Sequence, residues 1–147
     1  MLKVSGWKVV PFVQGKPLAA QDGCAIEEFP TSAGPADYAL CVDGRIIGIV
    51  EAKKLTLGPQ NVLSQAERYS KGLEQAGPRF GEYSVPFLYS TNGEVIWHHD
   101  IRHALNRSRQ IPCFHTPEAL GEMLSRDFDE ALRHLHALPN NNARLRP

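Results

Sequence analysis

The 147-residue chain predicts an α/β fold, a mixed central β-sheet flanked by helices. Three observations predict it. The run Ile46-Ile47-Gly48-Ile49-Val50 is apolar on both alternating faces, the mark of a central strand covered on two sides. A segment of helical period follows it, and short strands with turn signals follow that. Hydrophobic residues make up 42% and charged residues 22%, a globular composition that excludes a disordered chain.

Taken in order, Trp7 to Val13 reads as a strand, and so does Cys24 to Phe29, with Glu27 and Glu28 on opposite faces. Residues 36–42 and 45–53 form a hairpin, because Asp43-Gly44 between two apolar runs is a strong short-range turn signal. Gly58-Pro59 opens a helix with proline in its first turn. Val62, Ala66, Tyr69 and Leu73 keep its period, and Gly77-Pro78 stops it. Pro86 to Ser90 and Glu94 to His98 are strands joined by Thr91-Asn92-Gly93. Residues 117–138 are helical, in one piece or two, and 137–147 read as a polar linker. The domain is therefore expected over 1–136.

The hairpin carries the chemistry. Glu51 and Lys53 are two residues apart, so they leave a strand on one face. Folding at Asp43-Gly44 brings Asp37 opposite residues 50 to 51. Whether it shares the face of Glu51 depends on the turn, and a one-residue bulge at Gly44 places the two side by side. Two carboxylates and an ammonium converging at a strand end form a set that holds a hard divalent cation and steers water toward a phosphodiester. The plainer alternative is a partly buried Glu51–Lys53 ion pair, which leaves Asp37 unexplained. Glu28, on a neighbouring strand, is a candidate further ligand, and a surface acid is an equal reading of it.

Asp37 followed by Glu51-Ala52-Lys53 resembles the PD-(D/E)XK nuclease core, and more narrowly the N-terminal nuclease domain of the restriction (motor) subunit of type I restriction-modification enzymes. The similar features are Ala36-Asp37-Tyr38, the Val42-Asp43-Gly44 turn, Glu51 to Lys54, Gln65 with Tyr69 on a helix, Pro86-Phe87, Thr91-Asn92-Gly93, and a helix start at Pro117 to Leu120. They span about residues 5 to 125. Two departures stand out. The family opens with a helix that presents another acid, and this chain starts near the end of it. Ala36 also stands in place of the family's proline, which is not a ligand.

The resemblance implies Mg²⁺-dependent cleavage of double-stranded DNA. Asp37, Glu51 and the backbone carbonyl of Ala52 would hold the ion, which Mn²⁺ would replace, and Lys53 would act on the attacking water. Gln65 and Tyr69 would lie beside the site, although spacing alone favours a core tyrosine and a solvent-facing glutamine. The implied partners are DNA and the modification and specificity subunits, with ATP used only in a motor region following residue 147. The rival readings are a catalytically silent nuclease fold that docks a partner, and a stand-alone DNA repair nuclease.

Formal net charge is zero, whereas stand-alone DNA-binding domains are basic, so most DNA affinity is expected from a larger assembly. No GxxxxGK[ST] phosphate loop is present. Cys24, Cys41 and Cys113 lack metal-ligand spacing and read as reduced thiols of a cytoplasmic protein. The six histidines form no metal pattern. Trp7 and Trp97 read as core aromatics, and no run is long enough for a membrane span.

Overall fold

A computed structural model describes residues 2–52, 59–73, 75, 80, 83–102 and 106–125, the side chains of 59–65 excepted. Residues 2–114 belong to one compact unit. Its centre is a sheet of seven strands in the order of the chain: β1 (Lys8–Pro11), β2 (Cys24–Phe29), β3 (Ala36–Val42), β4 (Arg45–Ala52), β5 (Phe87–Thr91), β6 (Ile96–Asp100) and β7 (Arg109–Ile111). The sheet is mixed as expected. β1 runs parallel to β2 and β4 parallel to β5, while the other neighbours are antiparallel. The carboxyl ends of β1, β2, β4 and β5 therefore meet at one edge of the sheet.

β4 is the central strand that its apolar run predicts, since all of Ile46 to Glu51 is buried. One face of the sheet receives α1 (Pro59–Gly72), the crossover between the parallel strands β4 and β5. Ala66, Tyr69 and the following Leu73 pack with Ile26, Ala39, Cys41, Ile49 and Leu88. Ser70 on the same helix is fully buried, donates to the carbonyl of Val85 at 2.9 Å and accepts its N–H at 3.1 Å. The other face buries Leu40, Ile47, Val50, Phe87 and Tyr89. Here the Tyr89 ring lies 4.7 Å from that of His98 and 5.4 Å from that of Phe114.

The hairpin turn has φ of 53° at Asp43 and 75° at Gly44. Two positive values in a two-residue loop define the type I′ turn whose twist matches the flanking strands. Asp43 N–H is also held by Asp22 Oδ1 at 2.8 Å.

Several boundaries differ from the expectation. The first strand is shorter, Lys8–Pro11. β6 begins at Ile96 rather than Glu94, because Asn92 Oδ1 accepts the N–H groups of Glu94 and Val95, both at 3.0 Å, and keeps them in the turn. α1 ends at Gly72, where the Gly72 carbonyl accepts the N–H of Ser32 at 2.9 Å, ahead of the expected stop. β7 was not anticipated. Lys53 at the hairpin end, Gly58, Gly77-Pro78, the helix beyond 125 and the 137–147 linker, with the boundary at 136, lie outside the described residues.

Residues from His115 onward belong to a second unit. Within it a helix covers 117–125. Thr116 caps it, its Oγ1 accepting the Ala119 N–H at 3.1 Å, with Pro117 at the first helical position. Among the described residues no helix is long and apolar enough to cross a membrane.

Candidate nuclease site

Asp37 is the second residue of β3 and Glu51 the penultimate residue of β4. Their alignment depends on one extra residue. Near the turn the ladder pairs Val42 with Arg45 and Cys41 with Ile46, which would set Asp37 opposite Val50. Between Leu40 and Cys41 the register shifts, and Leu40 pairs with Gly48, leaving Ile47 as a bulge. Tyr38 then pairs with Val50, and Asp37 falls level with Glu51. Residues directly opposite in an antiparallel pair project to the same face. The alignment that the sequence left open is thus set by a one-residue bulge, at Ile47 rather than at Gly44, because Asp43 and Gly44 alone close the turn.

The two acids are tied to each other's strand. Asp37 N–H donates to Glu51 Oε1 at 3.2 Å, and Ala52 N–H donates to Asp37 Oδ2 at 2.7 Å. Glu51 is only 1% exposed, so its carboxylate needs hydrogen bonds and compensating charge. Asp37 is half-buried and opens on a cleft of about 610 Å³ at the carboxyl-end edge of the sheet. Ala52 also lines this cleft, together with Glu27, Glu28, Tyr38, Pro11 and Phe12. A second cleft of about 520 Å³ lies against Tyr38, Val50, Ala52 and Thr91-Asn92-Gly93. Ligands of α/β sheets bind outside the carboxyl ends of strands, which is where both clefts lie.

The remaining expected site residues are distributed unevenly. Glu28 is exposed, with a left-handed φ of 53°, level with Asp37 in the β2–β3 ladder and on the wall of its cleft. Among the described residues no three His, Cys, Asp or Glu side chains group closely enough to hold a metal ion, so Asp37 and Glu51 stand as a pair. Tyr69 is buried in the core on the α1 face. Gln65 lies on α1, with its side chain outside the described residues, and Lys53 is outside them altogether. His98 is buried against Tyr89 while His99 reaches the carbonyl of Asn106 at 3.2 Å, the divergence that adjacency on a strand requires. Trp7 is buried and Trp97 packs on the core, both as expected.

Two residues that shape the site were not anticipated. Gly48 admits the close approach of Leu40 opposite it, and a glycine inside an apolar strand is a signal of that kind. Gln75 hydrogen-bonds the backbone of Ile46, and nothing local in the sequence marks it.

Comparison with known proteins fits this geometry. The family described as the type I restriction enzyme EcoKI endonuclease subunit second domain matches residues 9–124. The chain belongs to that family. It is 29% identical, over 171 aligned positions, to the EcoKI endonuclease subunit of Escherichia coli (strain K12). That alignment takes in 84% of this chain and 15% of the subunit. A solved fragment assigned to an HsdR subunit of a type I restriction enzyme from Vibrio vulnificus YJ016 is similar in fold. Its TM-score is 0.59 at 24% identity, over 86% of this chain and 23% of that one. The chain is thus a restriction-endonuclease-subunit domain spanning a small part of the length of these relatives.

Proposed function

We propose that this domain cleaves DNA phosphodiester bonds with Mg²⁺, as the nuclease part of a type I restriction subunit. One observation carries the reading: Asp37 and Glu51 stand opposite each other at the cleft end of adjacent strands, beside the backbone of Ala52. The donor set fits a hard cation. A carboxylate has about four acceptor positions, so an N–H bond such as Asp37 and Glu51 each accept does not by itself exhaust the group. Mg²⁺ binds through one or two carboxylates while keeping several waters, which suits a pair rather than a cage.

When bound, the ion supplies Lewis-acid polarisation of the scissile phosphate and a more acidic water. The protein does the rest. Asp37 and Glu51 would hold the ion, and the Ala52 carbonyl would offer a third oxygen. Burial of Glu51 and its bond from the Asp37 amide fix that carboxylate before substrate arrives. Lys53, two residues after Glu51 in the sequence, would orient the attacking water or offset charge on the phosphorane-like transition state. Gln65 and Tyr69, which the family resemblance puts beside the site, would have secondary roles. Double-stranded DNA is the substrate, and the modification and specificity subunits supply recognition. ATP serves the motor part of the subunit, and the setting is cytoplasmic.

Mn²⁺ binding, followed by paramagnetic broadening or calorimetry, tests the site. Asp37→Ala combined with Glu51→Ala should abolish it, and binding unchanged in the double variant would refute the assignment. In an intact restriction complex either single substitution should stop cleavage. Full cleavage by both would leave a docking module as the better reading.

A further inference from the structure

We propose that Gln75 is a positioning residue whose side-chain amide locks the register of β4 and so keeps Glu51 opposite Asp37. The assignment rests on the reading of those two acids as the metal-holding pair.

The register of β4 is weakly specified by its own side chains. Ile46, Ile47, Ile49 and Val50 are all buried, on both faces. A one-residue slip normally drives apolar groups into water and is opposed for that reason. Here it mostly exchanges one buried aliphatic for another, with Gly48 opposite Leu40 as the exception. Resorbing the Ile47 bulge would return Asp37 to a place opposite Val50 and send Glu51 to the far face. Something must hold the backbone on the turn side of the bulge.

Gln75 does so with one planar amide. Its Oε1 accepts the Ile46 N–H at 2.9 Å, and its Nε2 donates to the Ile46 carbonyl at 2.8 Å. Ile46 is the residue immediately before the bulge. β5 pairs with β4 only from Gly48 onward, so at Ile46 the amide takes the place of a neighbouring strand. Nε2 also donates to the Ser84 carbonyl at 3.1 Å. Ser84 is itself fastened to the end of α1, its buried hydroxyl donating to the carbonyls of Ser70 at 2.8 Å and Leu73 at 2.5 Å. The amide thus links the residue before the bulge to a rigid support. Only a side chain that both donates and accepts along one plane can grip N–H and carbonyl of one residue, which singles out glutamine among side chains of its length.

Amide hydrogen exchange of the full chain tests this directly. The Asp37 and Ala52 amides donate to the opposing carboxylates, so their protection reports the alignment. Gln75→Met should speed their exchange on the order of tenfold or more relative to Leu88 in β5, because two register-holding bonds are gone. Ser84→Ala is the control: it weakens the same region but keeps the Ser84 carbonyl, and it should leave that ratio unchanged. An unchanged ratio in Gln75→Met, with lower melting temperature alone, would overturn the proposal. Should the methionine variant fail to fold, Gln75→Glu decides. It retains the acceptor for Ile46 N–H and regains a donor only when protonated. At neutral pH, where the introduced acid is ionised beside the Arg45 guanidinium and cannot donate to Ile46, the exchange ratio should rise, and an unchanged ratio counts against the lock. Absence of Mn²⁺ binding in the unsubstituted chain would sink the metal reading, while the exchange ratio still decides the register.

Discussion

Gly48→Ala should test the alignment of the two acids from the packing side. A methyl group on Gly48 would stand 2.8 Å from Leu40 Cδ1 and 3.2 Å from both its Cβ and Cγ. Carbon atoms in contact prefer about 3.5–4.0 Å, so several tenths of an ångström must be found in three places at once. Leu40 is 1% exposed and cannot swing into solvent. Its Cβ can move only with the β3 backbone, next to the register shift that aligns Asp37. Overpacking of this kind costs about 1–3 kcal/mol. Replacing a strand glycine returns about 0.5–1 kcal/mol of chain entropy. The net loss should be about 1–2 kcal/mol, or roughly 3–8 °C in Tm for a chain of this size. Urea unfolding at constant m-value measures it, and a cycle with Leu40→Ala identifies the cause. Leu40→Ala alone should cost about 2–5 kcal/mol through the cavity it leaves. In that background the new methyl should be nearly neutral, giving a coupling of about 1 kcal/mol or more. An equal cost of Gly48→Ala with and without Leu40 would refute the steric argument.

Three other outcomes are expected. On the proposed reading, Lys53→Ala in an intact restriction subunit should abolish DNA cleavage and spare ATP-driven translocation while Lys54→Ala is mild, the contrast that residues of opposite parity in the sequence predict; equal losses in a plasmid cleavage assay would show a general charge effect instead. Burial raises the carboxyl pKa of Asp100, but hydrogen bonds and charge from Arg102 outweigh it and hold the group below its ordinary 3.8. That stabilisation is complete above the unfolded value and is lost as pH falls through the folded one, so Asp100→Asn should cost roughly 3 kcal/mol in urea unfolding at pH 7 and progressively less below about pH 4. The Cys41 thiol is pushed up to about 11 by burial, then by Asp22 and Cys24. Iodoacetamide at pH 8, followed by mass spectrometry, should therefore label the exposed Cys113 and spare Cys41 until denaturant is added.

What was legible in the sequence was what local chemistry determines. The Asp43-Gly44 turn, the apolar run of β4, the period of α1 and the helix start at Pro117 each act within a few residues, and each appears where expected. That Asp37 and Glu51 come level was half legible, because one hairpin carries both; the bulge at Ile47 that sets their register leaves no mark in the local sequence. β7 escaped because it has three residues, two of them exposed, and owes its extension to pairing with Ile96–His98. Gln75 escaped because its bonds reach 29 residues back along the chain, a relation that no spacing rule encodes.

The order of the sheet has a consequence for how the protein is made. Each strand pairs with the strand before and after it in the chain, from β1 to β7. A nascent chain leaving the ribosome can therefore add each strand to an edge already formed, without holding a slot open for a distant partner. The acids that would hold the metal are 14 residues apart in one hairpin, so the strands that carry them can pair before α1 is synthesised, and Gln75, made after α1, then fixes their register. Such short loop closures cost little entropy and favour fast folding. The sheet edge that carries both clefts is thus built strand by strand, in the order in which the chain is made.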